Sequence, residues 1–155
     1  MIVTPKFTKA EIEAAVKEGV EHKVNALKRD LQYIGEEVVT EARTGAKTGG
    51  KDYLSQTGNL RSSIGYIITC KGETTGEGGF IPMPGRESGE EGAKEGKAAA
   101  ERIATEEGSQ ESLKLTVVAG MDYATHLHAK GYDVLDSAEL LANERLKELK
   151  ADYEV

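Results

Sequence analysis

A chain of 155 residues is the size of one domain, yet only 38% of it is hydrophobic and 5% aromatic, with no Trp and 18 glycines, so its core must be modest. The 27 acidic residues against 20 basic ones leave a net charge of −7, which gives no electrostatic footprint for wrapping a phosphate backbone and disfavours nucleic-acid binding. No apolar run approaches the roughly 18 residues of a membrane span and no charged, then apolar leader opens the chain, so the expectation is a soluble protein made in a reducing cytoplasm.

The first predicted element is a helix from Phe7 to Arg43. Thr8 and Glu11 make a T-x-x-E capping box, Phe7 and Ile12 stand where a hydrophobic staple would form, and Gly45 suits the other end. Ile12, Val16, Val20, Val24, Leu27, Leu31, Ile34, Val38 and Ala42 recur every three or four residues and trace one apolar stripe. Such a helix is about 50 Å long, more than a domain this small can cover, so part of the stripe is expected to meet another subunit or the carboxyl-terminal helix. A modest core points the same way, because partners stabilise what they bind.

A polar loop, Gly45 to Asp52, leads to "TGNLRSSIG". Ile64, Tyr66, Ile68 and Cys70 then alternate with Gly65, Ile67 and Thr69, the period of a strand, in which Cys70 is expected to be a buried, inert thiol. Lys71 to Gly85 reads as a long Gly/Thr-rich connector. Ser88 to Glu107 has a helical composition but only Ala93, Ala100, Ile103 and Ala104 to bury, which suggests a solvated helical insertion. Leu113, Leu115, Val117 and Ala119 mark a second strand, Ser112 to Gly120, able to pair antiparallel with the first. The span 72–110 between them is therefore expected to be a mobile insertion within a single domain covering 1–155. Met121 to Leu135 reads as irregular or short strand. Asp136 and Glu139 form a D-x-x-E cap, and Ala138, Leu141, Ala142, Leu146, Leu149 and Tyr153 give the stripe of a terminal helix. The order implies an α+β fold: a long N-terminal helix, a small antiparallel sheet with a long insertion, and a C-terminal helix.

Chemical signals are sparse. "GAKTGGKD", Gly45 to Asp52, has the spacing of a phosphate-binding loop, but Asp52 replaces the hydroxyl that would hold Mg²⁺, and a helix precedes the loop where a strand should. His126 and His128 would share a face if their segment were extended, as some metal sites require, yet a third ligand is supplied only by guessing at Asp122 or His22. Ser62 and Ser63 lack the strand-to-helix setting of an activated nucleophile, and no base and orienting acid accompany them. Paired acids such as Glu36 and Glu37, or Glu106 and Glu107, read as wet helix faces. These residues predict neither catalysis, nor cofactor, nor metal.

Taken in order, the motifs are more telling. Tyr53 to Gly65, "YLSQTGNLRSSIG", resembles the "T-G-x-L-R-x-S-I" signature of the head–tail joining and tail-completion proteins of tailed bacteriophages. Val118 to Gly131, "VAGMDYATHLHAKG", and Tyr132 to Ala138, "YDVLDSA", are similar to that family's second segment, "V-G-x-x-x-x-Y-A-x-x-x-E-x-G" followed by "P-F-L-x-P-A". His128 stands at the family's Glu, and Asp133 and Asp136 at its prolines. The resemblance implies a non-enzymatic virion morphogenesis subunit, found in the virion and, during assembly, in the host cytoplasm. Its partners would be further copies in a ring-like oligomer and the head-connector and tail proteins, with no membrane and no direct nucleic-acid contact. Within the signature, Leu60 and Ile64 are expected to anchor the core and Arg61 to stay outside. Asn59, Arg61, Tyr123, His126 and His128 are then the candidate assembly residues. The competing expectation is a metal-binding hydrolase or module built on His126 and His128.

Overall fold

The computed structural model describes residues 6–44, 57–85, 89–106 and 113–154. Its first element is helix α1, Lys9–Thr44, with 36 residues. The capping box forms: the Thr8 N–H donates to Glu11 Oε2 at 2.6 Å and the Glu11 N–H donates to Thr8 Oγ1 at 3.3 Å. Thr8's backbone and hydroxyl hydrogen bonds hold the Glu11 carboxyl below its ordinary value. The loop "GAKTGGKD" and Gly45 lie outside the described residues.

Three antiparallel strands make the sheet, in the order β2-β1-β3. They are β1, Ile64–Cys70; β2, Glu73–Gly79; and β3, Leu113–Ala119. The strand period of two divides β1 between two layers. Ile64, Tyr66 and Ile68 join Leu31, Ile34, Val38, Val39 and Ala42 of α1 in the main core. Ile67 instead packs with Val118 of β3 and Ala100 of helix α3, Gly89–Glu106. The molecule is α+β, as the motif order predicts; that α3 covers the second face of the small sheet is not part of that expectation.

Helix α5, Asp136–Tyr153, lies along the C-terminal half of α1. Ala138, Leu141, Ala142 and Leu149 pack into the main core. At the rim, Arg145 Nε and Nη2 donate to the two Glu37 carboxylate oxygens at 2.8 and 3.3 Å, and the Tyr153 hydroxyl donates to Asp30 Oδ2 at 2.8 Å. The D-x-x-E cap expected at Asp136 is not the one used. Asp136 sits inside the helix, and the buried Asp133 accepts from the Ser137 N–H at 3.2 Å and from its hydroxyl.

Much of 72–110 also differs from the sequence reading. Glu73–Gly79, read as connector, pairs with β1 as an edge strand, and Gly89–Glu106, read as a solvated helix, buries Gly89, Gly92, Ala93, Gly96 and Ala100. Glycine is the reason. A Cβ on Gly92 would lie 2.6 Å from Asn59 Cα, and one on Gly96 2.6 Å from Ser63 Cα, so the missing side chains are what let the backbones touch. In β2, a Cβ on Gly78 would meet the Tyr66 ring at 2.5 Å.

Candidate assembly surface

The signature segment folds as a joint inside the molecule. Gly58 takes φ 83° and starts the short helix α2, Asn59–Ser62. Leu60 and Ile64 are buried at 2% and 0% exposure, one in a small cluster with Ala124 and Val134, the other in the main core. Ser62 Oγ donates to Gly58 O at 2.7 Å and accepts from the Met83 N–H at 2.9 Å; Ser63 Oγ donates to Leu60 O at 2.8 Å. The hydroxyls therefore stitch α2 to itself and to the segment after β2. Neither serine is available as a nucleophile.

Two of the expected assembly residues are taken up by this joint. Arg61 is half-buried and its Nη1 donates to Arg43 O at 2.7 Å, satisfying a carbonyl of the last turn of α1. Arg43 in turn donates from Nη2 to Ile81 O at 2.6 Å. Asn59 is 8% exposed, with the α3 backbone at Gly92 against it, so in the single chain it lies beneath α3 and not on the surface. Arg61 therefore does not stay outside as expected; its guanidinium finds a helix-terminal carbonyl eighteen positions away.

The other candidates lie on and around helix α4, Ala124–Ala129. Tyr123, just before it, is 40% exposed, and both histidines are exposed. Because the segment is helical and not extended, His126 and His128 stand about 200° apart and do not share a face. His128 Nδ1 lies 3.4 Å from Asp136 Oδ2, and among the described residues no three His, Cys, Asp or Glu side chains gather as a metal site. Cys70, at the end of β1, is half-buried where full burial was expected.

The surface that stands out is the first half of α1. From Lys9 to Lys23 every residue is exposed, including Ile12 at 50%, Val16 at 61% and Val20 at 56%, with Phe7 at 65% just before the helix. These continue the same row of every-third-or-fourth positions that packs onto the sheet from Leu31 onward. Phe7, Ile12 and Val16 line one shallow groove with Lys6, Glu11 and Ala15. The apolar stripe of α1 thus runs beyond the core that covers its C-terminal half. No family model, no curated protein and no solved structure matches the chain.

Proposed function

We propose that the chain is a non-enzymatic structural subunit of the head–tail joint of a tailed bacteriophage or prophage, working through contacts with further copies in a ring and with head-connector and tail proteins. The observation that carries this reading is the bare apolar half of α1. A single domain gains nothing from exposing Ile12, Val16 and Val20 on an arm held firmly at its other end, whereas a subunit of an assembly does. The ordered "TGNLRSSIG" and "VAGMDYATHLHAKG" segments, which resemble the joining proteins, support it; so does the role of the first as a rigid internal joint that fixes α1, α2 and α3 together. In this scheme the body sets the angle of the arm, the stripe on the arm docks to a neighbour, and the net charge of −7 keeps passing DNA from adhering.

Removing the gene from the phage that carries it tests the reading. Electron microscopy of the lysate should show filled heads and separate tails, with joined particles restored by the gene in trans. Normal particles without the gene would refute it.

A further inference from the structure

The geometry points to the outer edge of β3 as a self-pairing surface: in the free protein two copies join β3 to β3, antiparallel about a two-fold axis at Thr116, and their sheets become one. This inference stands independently of the phage reading. The Gly120 N–H donates to Ser63 O at 3.3 Å, and the register pairs Ile64 with Ala119 and Gly65 with Val118. In an antiparallel ladder the bonded pairs alternate, so Lys114, Thr116 and Val118 turn their main-chain groups inward to β1. Leu113, Leu115, Val117 and Ala119 turn theirs outward, and among the described residues no group pairs with them.

The two edges of the sheet are not equivalent. β2 is blunted in the ways edge strands usually are: its register slips opposite Ile68 and Thr69, Gly79 has φ 76°, and Glu73 and Glu77 line it. β3, "LKLTVVA", has no bulge, no proline, no acid and a single lysine. It is an unprotected template for strand addition.

A second copy fits that template because the strand is self-complementary. With Thr116 opposite Thr116 of the second copy, the outward residues meet one another: Leu113 faces Ala119 and Leu115 faces Val117. Every outward N–H then finds a carbonyl, and large side chains lie beside smaller ones. These four side chains are only half-buried in one copy, so pairing completes their cover. Charge agrees as well. Two molecules of −7 repel overall, and β3 is the strand they can share without opposing carboxylates, while Lys114 faces Val118 and stays clear of its own counterpart. A two-fold pair has no polarity and cannot be the repeating contact of a ring with distinct ends. It is the form of the free protein, and it leaves the stripe of α1 for assembly.

Sedimentation equilibrium of the full chain, with amide exchange read residue by residue, tests the proposal. Mass should double with concentration, and the transition should move to lower concentration as salt rises, because screening weakens the mutual repulsion. On pairing, the Leu115 and Val117 amides should slow by about tenfold or more, while Thr116 and Val118 are protected throughout. Thr116→Asp and Thr116→Lys should each be monomeric alone and pair when mixed. A monomer at all concentrations overturns the proposal. So does an oligomer in which the Leu115 and Val117 amides stay fast, an outcome that leaves the phage reading intact; pairing weakened by salt would point to a basic partner surface and also counts against it.

Discussion

Gly19 and Gly96 are both helical glycines with opposite surroundings. Nothing lies within 4 Å of a Cβ built on Gly19, whereas one on Gly96 would sit 2.6 Å from Ser63 Cα. Gly19→Ala should therefore stabilise the free protein by about 0.5–1 kcal/mol through helix propensity, and Gly96→Ala should destabilise it by about 1–3 kcal/mol because α3 is forced off α2. Urea unfolding of the two variants checks the pair; equal effects would mean that α3 is not seated as described. Arg61 belongs to the same scale. Its bond to the Arg43 carbonyl makes Arg61→Ala a loss of about 1–3 kcal/mol, measured by the same unfolding, where an exposed arginine would cost close to nothing. The sequence makes Leu60 and Ile64 readable as anchors because apolar residues beside a turn have one destination. It hides the partner of Arg61, because a carbonyl acceptor has no residue type to recognise.

Elements were legible in proportion to how much of their burial is done by side chains. α1 announces itself through Ile12 to Ala42 at helical spacing and through Thr8 and Glu11; β1 and β3 do so by alternation. β2 and α3 are missed for one shared reason. "ETTGEGG" and the Gly89, Gly92, Gly96 row bury backbone, which a count of apolar side chains scores as nothing. The packed row argues that α3 is held, so residues 89–106 should show amide protection comparable to β1 in an exchange experiment, in place of the mobility expected from composition; rapid exchange throughout α3 would contradict that. The main-core layer has its own signature in pH. Tyr66 is buried at the centre of β1, and its hydroxyl donates to Glu36 Oε1 at 2.8 Å. Burial first, and then that bond and charge, raise its pKa well above the ordinary 10.0. The unfolded chain ionises its tyrosine first, so this contribution is whole below pH 10 and is lost as pH rises beyond it. Unfolding at stepped alkaline pH should show stability falling above pH 10, with a shallower fall in Tyr66→Phe.

For the whole molecule, length decides the shape. At 1.5 Å per residue α1 reaches about 54 Å, while a compact domain of this size is about 40 Å across, so one end must leave the body. The contacts of α5 and the sheet hold the C-terminal half, and the free half carries Ile12, Val16 and Val20 outward. The charge of −7 bears on a second whole-molecule property: the protein should show no affinity for duplex DNA even at about 50 mM salt, where attraction is least screened. Salt-sensitive micromolar binding in a fluorescence titration would reveal a basic surface at odds with this account. The measurement that bears most directly on the central claim is the infectious titre when the deleted gene is complemented by Val16→Glu, Val20→Glu. Both positions are exposed, so the isolated double variant should fold with unchanged unfolding behaviour while titre drops by about a hundredfold or more, a loss that about 3 kcal/mol of contact energy would account for. Full complementation by that variant would show that the bare half of α1 is not an assembly surface.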